Sequence, residues 1–193
     1  MSRDASWEPA TFERLYAQDP DPWRFRSSEY EREKYAATLS ALAERRFTDA
    51  LEVGCSIGVL TRQLAARSER LLAIDVADAA LAVARSECAG LENVRFARRR
   101  VPEEWPDGAY DLIVLSEVLY FLGSTDLART AHLAVTGLRR GGIALLVNWT
   151  GPTDTPGTGE AAATGFEAAA GPALEPLARS RGSTYRIDTL RRV

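Results

Sequence analysis

The sequence predicts an α/β protein in which helices cover both faces of a largely parallel sheet. Between residues 51 and 149, short apolar runs alternate with helical stretches, and this alternation is typical of a doubly wound parallel sheet. The predicted strands are 51–54, 71–75, 93–97, 110–115 and 143–149, and the predicted helices are 57–67, 78–89 and 124–138. The tail, from Leu174 to Leu190, reads as an antiparallel hairpin. Five parallel strands and this hairpin make a seven-stranded, Rossmann-like sheet.

The chain of 193 residues is predicted to form a single domain with four segments. A helical arm (1–47) precedes a ligand-binding core (48–150). Residues 151–172 are rich in glycine, proline and alanine and predict a loop with a short helix beside the site. Residues 173–193 form the hairpin.

The arm is rich in aromatic residues and contains two predicted helices. Thr11 is a candidate N-cap for the first helix, and Glu29 to Ala43 has the apolar spacing of an amphipathic helix. Between them, the prolines of Asp19-Pro20-Asp21-Pro22-Trp23 predict a stiff turn. The aromatic residues either pack onto the sheet or cover a bound ligand, and Trp23 is the best candidate for a lid.

Composition excludes several classes of function. A net charge of −3 does not favour binding to nucleic acid, and the sequence lacks an 18-residue apolar run. Met1 to Asp4 does not resemble the start of a signal peptide. The two cysteines fit neither a disulfide framework nor a zinc site, and His132, the only histidine, lies within a predicted helix. We therefore expect a cytoplasmic monomer or homodimer without metal, and without nucleic-acid or membrane partners.

The segment from Leu51 to Gly58 is a strand, a glycine turn and the start of a helix. Glycines let the backbone approach a ligand closely, and free N–H groups at a helix start attract negative groups. Ser56 replaces the middle glycine of the turn, and its hydroxyl is a candidate helix cap. The alternative is a strand–turn–helix unit that binds nothing.

Two carboxylates accompany this turn. Asp75 ends the next predicted strand about 20 residues after Gly54, where an acid hydrogen-bonds ribose hydroxyls in nucleotide sites. Glu52 lies two places before the turn, where it would repel a pyrophosphate and attract an ammonium group. An acid at this spacing resembles motif I of the class I methyltransferases, which use S-adenosyl-L-methionine and release S-adenosyl-L-homocysteine.

Several further stretches resemble the methyltransferases grouped with nodulation protein S, and together they cover nearly the whole chain. They are Pro20-Asp21-Pro22-Trp23, Tyr30-Glu31-x-x-Lys34-Tyr35-Ala36-Ala37-Thr38-Leu39, Val101-Pro102-Glu103-Glu104-Trp105-Pro106, Asp111-Leu112-Ile113-Val114-Leu115-Ser116-Glu117-Val118-Leu119-Tyr120 and Trp149-x-Gly151-Pro152-Thr153-Asp154. The resemblance implies the class I methyltransferase fold and transfer of a methyl group to a small acceptor, such as the nitrogen of an amino sugar.

The resemblance also implies which residues contact the cofactor. Glu52 and the turn would hold its methionine part, Asp75 its ribose hydroxyls, and the residues after the second and third strands its adenine. The expected cofactor-binding residues are Trp23, Glu52, Gly54, Cys55, Ser56, Gly58, Asp75, Val76, Ala77, Arg100, Val101 and Ser116.

The acceptor is expected beyond the fourth strand. Glu117 follows that strand and is the candidate catalytic residue, because a carboxylate there would bind an amine or hydroxyl and take up its proton. The alternative is a carboxylate that interacts with a helix dipole. Tyr120, Asn148 and Asp154 are the candidate acceptor contacts. Asn148 stands where the family leads us to expect histidine, and Thr155 where it leads us to expect an aromatic residue.

The sequence thus favours an N-methyltransferase. The alternatives are an O-methyltransferase acting on a hydroxyl, a nicotinamide-dependent oxidoreductase, and a non-catalytic binding protein. The oxidoreductase fingerprint needs a third glycine at position 59, which is Val59 in this chain.

Overall fold

The apolar runs of the sequence form one sheet in the computed structural model, which describes residues 5–193. Its strands are β1 (Phe47–Val53), β2 (Ser68–Asp75), β3 (Val94–Arg98), β4 (Tyr110–Ser116), β5 (Leu138–Trp149), β6 (Leu174–Arg181) and β7 (Tyr185–Arg192). The spatial order is β3-β2-β1-β4-β5-β7-β6. Strands β1 to β5 are parallel, and β7 pairs antiparallel with both β5 and β6. The predicted five parallel strands and terminal hairpin are confirmed.

Six α-helices accompany the sheet within residues 5–193. They are α1 (Pro9–Gln18), α2 (Glu29–Ser40), α3 (Val59–Ala65), α4 (Asp78–Glu87), α5 (Ser124–Gly137) and α6 (Gly159–Ala170). Successive strand residues point to opposite faces of a sheet, so each buried strand supplies two cores. Ile113 and Leu115 of β4 pack with α5 and α6, whereas Leu112 and Val114 pack with α2 and α3. This double burial explains why the strands read as continuous apolar runs.

Several predicted element boundaries were wrong, and three of them involve a cap or a helix end. Helix α1 begins at Pro9, so Thr11 lies inside it and is not its N-cap. Helix α2 ends at Ser40, three residues before the predicted end. Helix α5 ends at Gly137, because Leu138 already pairs with Tyr110 of β4. Arg139 and Arg140, which directly follow the predicted helix, therefore belong to β5.

The predicted loop after β5 contains α6, which Thr158 caps by accepting a hydrogen bond from the N–H of Ala161. The helix begins against the end of β5, since a Cβ on Gly159 would lie 1.9 Å from the carbonyl oxygen of Trp149. This contact keeps the segment between Trp149 and Thr158 close to the ends of the parallel strands.

Two findings concern the ends of the chain and membranes. The first four residues, for which no signal peptide is predicted, lie outside the described residues. Within residues 5–193, none of the helices has the length and apolar character needed to cross a membrane.

Candidate functional site

A cavity of about 730 Å³ lies at the carboxyl ends of β1, β2 and β4. The chain adds β2 and β3 on one side of β1 and then returns to form β4 on the other side, so this is the point at which the strand order reverses. Ligands of open α/β sheets bind in such a crevice. Pro22, Trp23 and Phe25 of the arm line the cavity, together with the turn after β1.

The glycine turn is tightly packed at its first residue. Gly54 has φ +78°, and a Cβ placed on it would lie 2.1 Å from Cγ2 of Val118. The N–H groups of Gly54 and Cys55 both donate to the carbonyl oxygen of Ile74, at 2.8 and 3.0 Å. These bonds fix the turn against β2, and Gly54 and Cys55 line the cavity as expected.

Gly58 has a different position from the one expected. It is the N-cap of α3 at φ +85°, and a Cβ on it would lie 3.0 Å from Cα of Ala84 in α4. It does not line the cavity. Gly58 therefore permits close packing of α3 against α4, whereas its neighbours Ile57 and Val59 line the cavity.

Ser56 joins the turn to β2 and to the arm. Its N–H donates to Oδ2 of Asp75 at 2.8 Å, and its hydroxyl lies 2.5 Å from the hydroxyl of Tyr16 in α1. The predicted cap is wrong, because the N-cap of α3 is Gly58. Sequence reasoning also missed Tyr16 as a cavity residue, although it noted the aromatic character of the arm.

Glu52 and Asp75 both line the cavity and both are buried. Glu52 is 1% exposed, and its Oε2 has no hydrogen-bond partner within residues 5–193. Burial raises the pKa of Glu52 to about 7. Burial also raises the pKa of Asp75, although backbone N–H groups of Ala77 and Ser56 donate to it and oppose the shift. This part of the cavity therefore holds two carboxyl groups that have no cationic partner within residues 5–193.

The far wall of the cavity follows β2 and β3. Val76, Arg100 and Val101 line it, as expected. The N–H of Arg100 donates to Glu104 at 2.8 Å, and its guanidinium lies 3.5 Å from Glu8, so Val101 is the better candidate for contact with a base. Ala77, which we also expected here, is fully buried under α1 and does not line the cavity.

Glu117 follows β4, as expected, and its side chain is held by three donors. Lys34 donates to Oε1 at 2.7 Å, the N–H of Trp149 donates to Oε2 at 3.0 Å, and the Tyr120 hydroxyl also donates to Oε2. The backbone of Glu117 is in the left-handed region at φ 57°. These bonds fix the carboxylate at the wall of the cavity and use much of its capacity to accept hydrogen bonds.

Lys34 and Glu31 of α2 complete this wall and were not among the predicted site residues. Lys34 has 2% of its side chain exposed, and its Nζ lies 2.9 and 3.0 Å from the two carboxylate oxygens of Glu31. Burial lowers the pKa of Lys34, but Glu117 and Glu31 more than offset this effect and raise it. The available signal was the Glu31-x-x-Lys34 spacing, which puts both side chains on one face of a helix.

Of the three predicted acceptor contacts, Tyr120 and Asp154 line the cavity, as does Ser116, which was expected to contact the cofactor. Asn148 does not line it, since its side chain is fully buried near the start of α6, where neither polar atom has a partner among the described residues. The cavity thus has a carboxyl-rich part beside β1 and β2, and a second polar wall beside β4 and α2.

The strand order, the glycine turn after β1 and the acid that ends β2 define the class I methyltransferase fold. The family model of nodulation protein S (NodS) matches residues 11–146, and the chain belongs to this family.

Named relatives and solved structures agree with this assignment. Nodulation protein S of Sinorhizobium fredii is 36% identical over 112 residues, which are 58% of this chain and 52% of the relative. The chain thus spans about half the length of the curated relatives it matches. The crystal structure of the N-methyltransferase NodS from Bradyrhizobium japonicum, in complex with S-adenosyl-L-homocysteine, has a TM-score of 0.82 at 26% identity and covers 95% of this chain and 97% of that one. A crystal structure of a putative methyltransferase from Pseudomonas syringae has a TM-score of 0.74 at 30% identity, covering 86% of this chain and 100% of that one.

Proposed function

We propose that this chain is an S-adenosylmethionine-dependent methyltransferase whose acceptor is the nitrogen of a small molecule, such as an amino sugar. The proposal depends on one observation: a buried carboxyl group, Glu52, lines the cavity of a class I methyltransferase fold, and its Oε2 has no hydrogen-bond partner among the described residues. Membership of the NodS family supports it.

The residues of the cavity fit this cofactor. A buried carboxylate needs a cation or hydrogen-bond donors, and the ammonium group of the cofactor would supply both to Glu52. The carboxylate of Asp75 retains accepting capacity beside its two backbone donors, so it can also accept from ribose hydroxyls. Gly54, Cys55 and Ser56 would then border the methionine part, and Val76 and Val101 the adenine.

The cofactor brings a methyl group that its sulfonium already activates. The protein has to hold the acceptor in line with that group, and positioning of this kind contributes roughly 7–11 kcal/mol. We infer that the acceptor lies between Ser116, Glu117, Tyr120 and Asp154, with the aromatic arm excluding water. Trp23 is 38% exposed, and its ring centroid lies 5.4 Å from that of Tyr16. It would cover the cofactor side of the cavity.

Ligand binding tests the proposal directly. S-adenosyl-L-homocysteine should raise the thermal midpoint, because a ligand at 100 times its dissociation constant stabilises a protein by about 2.7 kcal/mol. NAD should not, since its pyrophosphate would lie near Glu52. Stabilisation by NAD alone would favour an oxidoreductase, and stabilisation by neither ligand would favour a binding protein.

Transfer is then assayed with methyl-labelled cofactor and a panel of amino sugars and deacetylated chitin fragments. Label on nitrogen would support the proposal, and label on oxygen alone would favour an O-methyltransferase. The expected cytoplasmic location, the oligomeric state and the absence of nucleic-acid partners stay predictions.

A further inference from the structure

The wall formed by Glu31, Lys34 and Glu117 has an odd number of charges. Lys34 bridges the two carboxylates, at 2.9 Å from one oxygen of Glu31 and 2.7 Å from Glu117. One cation between two anions leaves a net single negative charge. The arginines that line the cavity, Arg99 and Arg100, follow β3, which lies three strands from β4 in the sheet.

The two carboxylates differ in their hydrogen bonds. Glu117 accepts from Lys34, the Tyr120 hydroxyl and the N–H of Trp149. Glu31 accepts only from Lys34 among the described residues, and its Oε2 is a buried atom without a hydrogen bond of good geometry. Glu31 therefore keeps more accepting capacity than Glu117 at the same wall.

The local sequence would also allow the Glu31 side chain to cap the start of α2, but the side chain does not do so. Ser28 and Glu31 have the spacing of a capping box, in which the second side chain accepts from the N–H of the first residue. Here the N–H of Ser28 donates to the carbonyl oxygen of Arg24, at 2.9 Å. The Glu31 carboxylate turns to Lys34 and the cavity instead.

We propose that Glu31 is the residue that binds the acceptor amine and receives its proton, and that Lys34 and Glu117 are positioning residues that hold it in place. This inference rests on the proposed function and deepens it, because it names the residue that would recognise the ammonium group of the acceptor. Anionic acceptors are disfavoured, because the wall already carries a net negative charge.

The step balances as follows. The acceptor enters as an ammonium ion and gives one proton to the Glu31 carboxylate, which frees the nitrogen lone pair. The lone pair forms the new C–N bond, the C–S bond breaks, and its electron pair stays on sulfur. The methylated product leaves as an ammonium ion, and the proton on Glu31 passes to water. Burial raises the pKa of Glu31, which favours its role as proton acceptor.

The test is acceptor binding by calorimetry to protein saturated with S-adenosyl-L-homocysteine. The probes are glucosamine and its β-1,4 dimer, with glucose and cellobiose as controls that carry hydroxyl groups in place of the amines. The wild type should prefer the amine probes. Glu31→Gln should reduce that preference about tenfold, because a charge-assisted hydrogen bond is lost. It should leave affinity for S-adenosyl-L-homocysteine unchanged.

Three variants complete the design. Glu33→Gln, at an exposed position of the same helix, should behave as the wild type. Glu31→Asp, which retains the charge, should keep a preference for amines and covers the case in which Glu31→Gln does not fold. Glu117→Gln should lower the thermal midpoint, because Lys34 loses a partner. The folded protein should keep a weaker preference for amines, because the wall is then neutral but Glu31 retains its carboxylate.

Several results would overturn the inference. One is a Glu31→Gln protein with the wild-type preference, or, if that variant does not fold, a Glu31→Asp protein without any preference. Another is a wild type that binds S-adenosyl-L-homocysteine but not the amines over their hydroxyl controls. Loss of amine preference in Glu117→Gln alone would reverse the two roles. Failure of the wild type to bind S-adenosyl-L-homocysteine would instead remove the proposed function.

Discussion

Lys34 on the arm helix α2 lies 2.7 Å from Glu117, which follows β4, and only 2% of the Lys34 side chain is exposed. The two residues are 83 positions apart, so this ion pair fastens the arm to the core of the protein. It also makes one wall of the cavity. A buried ion pair is costly to break from one side, because the remaining charge then has no partner.

Lys34→Met should therefore destabilise the protein strongly. It removes the cation and leaves Glu31 and Glu117 facing each other, and the loss of one member of a buried pair costs about 3–5 kcal/mol. The double variant Lys34→Met/Glu117→Gln should recover part of this loss, because one stranded charge is gone. Urea unfolding of both variants measures the free energies.

Arg32→Met is the matched control for this prediction, since Arg32 is an exposed cation on the same helix. This substitution should change the free energy of unfolding by no more than about 0.5 kcal/mol. If Lys34→Met cost no more than this control, the pair would not hold the arm to the sheet.

Gly54→Ala should cost more than Gly141→Ala. Both glycines have φ +78°, so the backbone strain of an added Cβ is similar. At Gly54 the Cβ also lies 2.1 Å from Cγ2 of Val118, whereas a Cβ at Gly141 has no neighbouring atom of the described residues within 4 Å. The clash should add about 1–3 kcal/mol, and thermal unfolding measures the difference.

Val118→Ala identifies the cause of that difference. In this background Gly54→Ala should cost about as much as Gly141→Ala, because the clashing methyl group is absent. If Gly54→Ala were as destabilising in this background as in the wild type, the contact with Val118 would not be the cause of its effect.

Much of the fold follows from local sequence patterns. The apolar strands and the helices between them alternate with a regular period, and each of these signals lies within about ten residues. Element ends depend on contacts from elsewhere in the chain. The end of α5 is an example, since Leu138 pairs with Tyr110 and enters β5 one residue after the helix.

The candidate site also has residues that local sequence patterns predict and contacts that they do not. The positions of Glu52, Asp75 and Glu117 beside the cavity follow from the strands to which they are attached, so they were predictable. The contacts of Tyr16 with Ser56 and of Lys34 with Glu117 join residues 40 and 83 positions apart. Their partners depend on how the arm folds back over the sheet, which no local pattern describes.

Asp75→Ala should weaken binding of S-adenosyl-L-homocysteine while the protein still folds. The variant removes the proposed acceptor of the ribose hydroxyls, and a charged hydrogen-bond partner contributes about 1.5–3 kcal/mol, which is roughly tenfold to a hundredfold in affinity. It should also lower stability, because Asp75 accepts from the N–H groups of Ser56 and Ala77. Calorimetry and thermal unfolding separate the two effects.

Asp78→Ala is the control, since Asp78 lies three residues further on with 69% of its side chain exposed. Its affinity for S-adenosyl-L-homocysteine and its thermal stability should both be near those of the wild type. Unchanged affinity in Asp75→Ala would show that the ribose assignment is wrong, whatever happens to stability.

The ligand-free protein should lose stability as pH rises from about 4.5 to about 7, in part because of Glu52. Burial raises the pKa of this carboxyl from 4.5 to about 7, so the folded state keeps a proton that the unfolded state has released in this range. Stability falls with rising pH wherever the folded state binds more protons. The contribution of Glu52 to this loss amounts to about 3 kcal/mol, since one pKa unit corresponds to about 1.36 kcal/mol.

Glu52→Gln should remove this share of the pH dependence, and urea unfolding at pH 5 and pH 7.5 measures it. The burial of Asp75 acts in the same direction and should remain in the variant. Glu69→Gln, at an exposed position on β2, should keep the full dependence. S-adenosyl-L-homocysteine should reduce this loss of stability in the wild type, because the ammonium group of the ligand favours the ionised form of Glu52. Equal slopes in Glu52→Gln and the wild type would mean that Glu52 is already ionised in the folded protein at pH 5.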